Sequence, residues 1–227
     1  MSGAPTRRRP VKGGAGSQQL VLLGRWPAPS RCKRRLAATL GASRAAAVQR
    51  ALLFHGLTVA RQAANEGLGR GQPIEVVFAV SGLAPKASRR WAQALPVDRL
   101  VDQGPGSLGL RLQRQVIRAR REGIGKLVLV GTDLPHLCSA DLLAAFEALA
   151  GAALVLGPAS DGGYWLIGLS PQVPAPRLFA GAHHPIPWGS GRVMACTLEA
   201  AAVEGLIPAL VRERGDLDRA KDLLAWR

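Results

Sequence analysis

From residue 18 onward, short and nearly unbroken apolar runs alternate with longer segments of helical spacing. Strand-length runs fall at Gln19–Leu23, Ile74–Val80, Asp98–Val101, Lys126–Val130, Ala153–Leu156, Tyr164–Leu169 and Ile207–Val211. The segments between them predict helices: Ser43 to about Asn65, Lys86–Ala94, Leu108–Glu122, Asp141–Leu149, Val193–Glu204 and Asp218–Trp226. In the first of these, Ser43 is placed to cap, and Ala47, Leu52, Leu53 and Leu57 lie near helical spacing. Strands apolar on both faces and separated by helices predict an α/β fold, a single, mostly parallel sheet with helices on both faces. Ligands of such sheets bind outside the carboxyl ends of the strands. The loops after Leu23, Val130 and Leu156 are therefore expected to face one crevice.

Length and composition narrow the class. The 227 residues are 48% apolar and 20% charged, which suits one globular domain able to bury roughly 70% of its unfolded surface. Cys32, Cys138 and Cys196 are odd in number, widely spaced and without a CxxC, which excludes a disulfide framework and a structural zinc site. No apolar run reaches the ~18 residues of a membrane span. The expectation is a soluble, cytoplasmic protein. Residues 1–17 are rich in Gly, Pro and Arg, with almost nothing to bury, and read as a disordered basic tail; residues 18–227 read as the domain.

The net charge of +15 raises the question of nucleic acid. Twelve basic residues precede the first acid, Glu66, and the remaining 18 basics face 15 acids, so most of the asymmetry lies in the first third of the chain. With a single Tyr and no aromatic residues interleaved among the cations, the pattern argues against nucleic-acid binding as the main function.

Candidate chemistry sits at the strand ends. Arg31, Lys33, Arg34 and Arg35 follow the first strand; four cations there form either a solvated basic edge or a clamp in which Lys33 and Arg35 neutralise a diphosphate. Gly131-Thr132-Asp133-Leu134-Pro135 puts a carboxylate at the rim of the fourth strand, where Asp133 either satisfies turn amides or holds Mg²⁺ or Mn²⁺. In Gly157-Pro158-Ala159-Ser160-Asp161-Gly162-Gly163, two consecutive glycines allow close backbone approach. Asp161 would orient an acceptor, act as base or assist a metal, unless Asp-Gly simply starts a hairpin. It is expected near Asp133 if the parent strands are neighbours. Asp218, in Arg214-Gly215-Asp216-Leu217-Asp218, reads as the cap of the last helix, or else as a second metal ligand. His183-His184 lacks a third ligand at metal spacing. No Walker motif, GxGxxG or GxSxG is present, so ATPase, dinucleotide and covalent hydrolase chemistry lack support.

As an ordered set these motifs resemble the bacterial radical-SAM/selenodomain-associated, arsenosugar-biosynthesis type glycosyltransferases of the GT-A nucleotide-diphospho-sugar transferase superfamily. The resemblance runs over roughly residues 19–224, from PAPSRCKRRLAATLG through QGPGSLGLRL, GTDLPHL, LGPASDGGYWLIGL and IPWGSGRVMACTL to GDLDRAKDL. It implies a GT-A-like (Rossmann-like) fold and a divalent cation, Mg²⁺ or Mn²⁺. It also implies transfer from a nucleoside-diphosphate sugar to a small-molecule acceptor. On that resemblance Lys33, Arg35 and Arg31, with Gly131, Gly162 and Gly163, would bind the nucleotide. Asp133 and Asp161 would be catalytic, and Asp133 with Asp218 would hold the metal. A related guanylyltransferase shares several signals, which makes nucleotidyl transfer from an NTP, with pyrophosphate released, the alternative. The chain departs from the family pattern at Ser30, for a loop Gly, and at Arg34, for Thr. Leu110 and Leu112 stand for Glu and Met, so one expected carboxylate is missing and one cation is added.

Overall fold

The computed structural model describes residues 14–170 and 173–226. Its strands are β1 (Gly14–Arg25), β2 (Ile74–Ser81), β3 (Arg99–Asp102), β4 (Ile124–Gly131), β5 (Leu154–Pro158), β6 (Tyr164–Leu169) and β7 (Ala209–Leu210). The helices are α1 (Arg34–Leu40), α2 (Ala42–Gly69), α3 (Pro85–Ala94), α4 (Leu108–Arg121), α5 (Ser139–Ala148), α6 (Ala175–Ala180) and α7 (Val193–Val203). The strands form one sheet in the order β3-β2-β1-β4-β6-β5-β7. Every pairing is parallel except the two made by β6, which runs antiparallel to both β4 and β5.

Alternate side chains of the strands feed two cores, one on each face of the sheet. Leu20, Leu22, Phe78 and Val130 meet Leu53, Leu57 and Ala60 of α2 and Phe146 of α5. Val21, Val77, Leu129 and Ile167 meet Leu112 and Val116 of α4, with Leu178 and Phe179 of α6. A third, smaller cluster joins Leu36, Ala45 and Leu52 to Leu217, which is wholly buried. That cluster fastens the segment carrying Asp216 and Asp218 to the helices that follow β1.

Several boundaries differ from those the sequence predicts, each for a local reason. β1 begins at Gly14, inside the segment expected to be tail. Its polar start is satisfied by neighbours: Ser17 Oγ donates to the Gly123 carbonyl (3.2 Å) and accepts from the Gly125 amide (3.1 Å), and Gln19 Nε2 donates to Glu75 (2.7 Å). The remainder of the expected tail, before residue 14, lies outside the described residues. α1 lies where the pattern predicts no element, and Gly41 rather than Ser43 stands at the start of α2, with no side-chain cap. The expected terminal helix is a 3-10 turn, Ala220–Trp226. Asp218 does not cap it; the Asp222 carboxylate accepts from the Asp218 and Arg219 amides at 3.0 and 2.7 Å. β6 also separates β4 from β5, so the strands leading to Asp133 and Asp161 are not neighbours.

Candidate active site

The carboxyl ends of the parallel strands and the start of antiparallel β6 open onto one crevice of about 1160 Å³. Loops after Leu23, Val130 and Leu156 all reach it, as the alternating pattern predicts. Along the strand order, the β1–β2–β3 side of the crevice presents Arg25, Trp26, Gln103 and Arg111. The β4–β6–β5 side presents Asp133, Asp161, Asp216 and Asp218.

The basic loop is built on two residues in the left-handed region, Ser30 (φ 61°) and Lys33 (φ 47°), the only non-glycines there among the described residues. Strain of this kind concentrates where function fixes the backbone. The turn at Lys33 sends its side chain inward, where it is 3% exposed, and Nζ lies 2.9 Å from Asp133 Oδ2. Nζ also donates to the Leu217 carbonyl, and Gln49 Nε2 donates to the other Asp133 oxygen at 3.3 Å. Arg35, mostly exposed, pairs with Asp218 Oδ2 at 2.6 Å. Arg31 is exposed on the crevice, and its carbonyl accepts from Arg25 (2.9 Å).

Asp161 Oδ1 accepts from the Gly163 amide at 2.9 Å in the turn of the β5–β6 hairpin, as the hairpin reading of Asp-Gly has it, and Asp161 also lines the crevice. Gly131 and Gly163 line the crevice. Gly162 does not line it; at φ 85° it packs against Gly191, where a Cβ would stand 2.1 Å from the carbonyl oxygen. Its role is to let the Asp161 loop touch the segment before α7. Tyr164 lines the crevice, but burial pushes its phenol upward, which keeps it neutral and unsuited to act as a base.

Asp216 is the site residue that the sequence reading passed over in favour of Asp218. It is half-buried, and its carboxyl is raised first by burial and then by Asp161, with Asp133 and Asp218 adding to the effect and Lys33 opposing it. Asp216 therefore feels all three carboxylates that the motifs had marked. The doublet Asp216-Leu217-Asp218 was the available signal; with Leu217 buried between them, both acids reach the crevice.

No group of three or more His, Cys, Asp and Glu among the described residues is drawn together as a metal cluster. The donors nevertheless suit a hard cation. Four carboxylates, oxygen donors of the kind a divalent ion takes, line one crevice, and Asp216 among them is raised first by burial and then by Asp161.

The family model described as "Uncharacterized protein conserved in bacteria (DUF2064)" matches residues 66–190, just over half of the chain. The chain belongs to the DUF2064 family. No curated protein matches it. Among solved structures, this DUF2064 member is similar to a candidate nucleotide-diphospho-sugar transferase of Desulfovibrio desulfuricans G20. The two are 25% identical with a TM-score of 0.71, over 89% of this chain and 83% of the other. A nucleotidyl transferase of Methanothermobacter thermautotroptrophicus shares the fold (18% identity, TM-score 0.55, 92% and 96% of the chains). So does glucosyl-3-phosphoglycerate synthase of Mycobacterium tuberculosis, solved with Mn²⁺, UDP and glucosyl-3-phosphoglycerate (15% identity, TM-score 0.52, 93% and 76%). The structural neighbours of this DUF2064 member are thus nucleotide-sugar transferases and nucleotidyltransferases. None of its described helices is long and apolar enough to cross a membrane.

Proposed function

We propose that the protein is a metal-dependent glycosyltransferase that moves a sugar from a nucleoside-diphosphate sugar to a small-molecule acceptor. The observation that carries this reading is one large crevice that gathers the cations of the loop after β1 with four carboxylates, at the strand ends where such sheets bind ligands. The likeness to the Desulfovibrio protein and the order of motifs resembling the arsenosugar-type transferases support it.

Arg31, Lys33 and Arg35 bind the donor diphosphate and oppose the charge that develops on it as the glycosidic bond breaks. One such preorganised group is worth ~3–4 kcal/mol of barrier. Asp133, with Asp216 or Asp218, would hold Mg²⁺ or Mn²⁺, which when bound would supply further positive charge against the departing diphosphate. Asp161 keeps Oδ1 on the Gly163 amide and has its second oxygen for the acceptor hydroxyl, whose proton it takes. The cytoplasm, where nucleotide sugars are made, is the expected location.

Calorimetric titration with UDP, GDP, CDP and ADP, and with GTP and CTP, tests this reading, first with Mn²⁺ and then with chelator. Metal-dependent binding of one nucleoside diphosphate, weakened in Asp133→Asn, is the expected result. Preference for an NTP, with pyrophosphate released on turnover, would establish nucleotidyl transfer instead. Failure to bind any nucleotide would defeat both readings.

A further inference from the structure

Lys33 and Arg35 each direct their charge at a carboxylate, at 2.9 and 2.6 Å. Four other cations on the same crevice, Arg25, Arg31, Arg34 and Arg111, form no ion pair with any carboxylate among the described residues. Arg25, Arg31 and Arg34 are exposed, as surface guanidiniums commonly are. Arg111 is not. It is half-buried in the first turn of α4, where the helix dipole disfavours a cation.

Its orientation is fixed by a chain of hydrogen bonds that begins in the sheet. Gln103 is 4% exposed, and its Nε2 donates to the Gly24 carbonyl at 3.0 Å and the Ala79 carbonyl at 2.7 Å, near the ends of β1 and β2. Both amide hydrogens are thereby committed, which turns Oε1 toward Arg111 Nη1, 3.4 Å away. Arg111 Nε donates to the Gly106 carbonyl at 3.0 Å, closing the second side of the fork. Arg114 pins the same loop by donating to the carbonyls of Gln103 (3.1 Å) and Pro105. The turn that carries Arg111 is covered by Trp188, whose indole nitrogen would stand 2.8 Å from a Cβ on Gly109. What remains is Nη2, with no partner among the described residues, on a guanidinium that lines the crevice.

A guanidinium that is oriented, partly desolvated and without a counter-charge suits an oxyanion, which it can take with geometric specificity. We propose that Arg111, positioned by Gln103, is a specificity-determining residue that binds an anionic group, phosphate or carboxylate, of a bound substrate. The proposal rests on the transferase reading of the crevice and adds a recognition element on the side opposite the carboxylates. Two sources carry the required chemistry: the donor's diphosphate, and an acceptor with an anionic group of its own.

The test compares the full-length wild type with Arg111→Gln, Arg111→Lys and a control at the exposed far end of α4, Arg121→Gln. Each is titrated with the nucleoside diphosphate that the wild type binds, and then, saturated with that nucleotide, with inorganic phosphate. Arg111→Gln is expected to weaken one of the two titrations at least tenfold, with Tm unchanged within about 2 °C, and Arg121→Gln to weaken neither. Loss in the nucleotide arm assigns the anion to the donor; loss in the phosphate arm assigns it to the acceptor. Arg111→Lys, which keeps the charge but cannot span Gly106 and Gln103, is expected to lose most of the same affinity. Wild-type affinity in both arms for Arg111→Gln overturns the proposal, and full retention by Arg111→Lys overturns the positioned fork. If the wild type binds no nucleotide, the transferase reading fails, and the phosphate titration is run on the free protein. Phosphate binding lost in Arg111→Gln would then still support Arg111, and no phosphate binding by the wild type would overturn it.

Discussion

Lys33, in the loop after β1, meets Asp133, in the loop after the adjacent β4, Nζ to Oδ2 at 2.9 Å, with the lysine buried and the aspartate 44% exposed. This asymmetry makes the two partners unequal under mutation. Asp133→Ala leaves a buried ammonium without its counter-charge, which costs about 3 kcal/mol, the low end for a broken buried pair because Asp133 is partly solvated. Lys33→Met removes the buried charge itself and is expected to leave stability within about 1 kcal/mol while weakening nucleoside diphosphate binding. Urea melts and calorimetry on the two variants check this. Equal destabilisation would mean that burial of Lys33 is not what governs the pair. Asp133→Asn, which keeps an oxygen for Lys33, is therefore the better probe of metal and nucleotide binding.

Ser30 stands at φ 61°, where the resembling family has glycine. A side chain in the left-handed region costs roughly 1–2 kcal/mol, partly offset by the greater freedom of glycine in the unfolded chain. Ser30→Gly should stabilise by about 1 kcal/mol and raise Tm by roughly 2–4 °C for a chain of this size. A lower Tm would show that the serine makes a compensating contact.

The fold was readable from the sequence because the feature that decides it, apolar runs of strand length between helical segments, is local. Ile74–Val80 and Tyr164–Leu169 were placed within a residue for that reason. What escaped depends on tertiary partners. Ser17 and Gln19 belong to a buried strand because Gly123, Gly125 and Glu75 take their hydrogen bonds, and no pattern of hydropathy records that. The antiparallel direction of β6 has a sequence signal in the Asp161-Gly162 hairpin turn, but its insertion between β4 and β5 has none in an apolar run. At the site, Asp133, Lys33 and Arg35 were marked by residue type and position. The placement of Asp216 beside Asp218 on the crevice follows from the burial of Leu217 against Leu36 and Leu52, and the aim of Arg111 follows from the bonds of Gln103.

Gly162 couples the Asp161 loop to Gly191 through two separable constraints, a φ of 85° and a close approach that leaves no room for a Cβ. Gly162→Ala is expected to cost about 3 kcal/mol or more, the sum of a left-handed alanine and a forced backbone shift. Gly41, at φ 82° and ψ 158°, also needs a conformation that glycine favours but has open space around it, so Gly41→Ala carries a conformational cost alone, roughly 1–3 kcal/mol. Chemical denaturation of the pair separates the two contributions. Equal losses would show that the Asp161 loop retreats from Gly191 without cost.

Asp216 gives the site a pH dependence whose sign can be worked out. Burial and the neighbouring Asp161 raise its carboxyl above the ordinary value of 3.8, against the opposing pull of Lys33. The folded state therefore holds that proton more tightly than the unfolded chain, and ionisation at neutral pH costs stability. Asp216→Asn removes this cost, so the variant should be more stable than wild type at pH 7. The gain should shrink as pH falls through the raised folded value and vanish below the unfolded one, where the wild-type group is protonated in both states. Urea melts at pH 3, 5 and 7 measure the difference directly. A gain independent of pH would trace to packing, and a loss at pH 7 would mean that the attraction of Lys33 outweighs the repulsion of the three other aspartates.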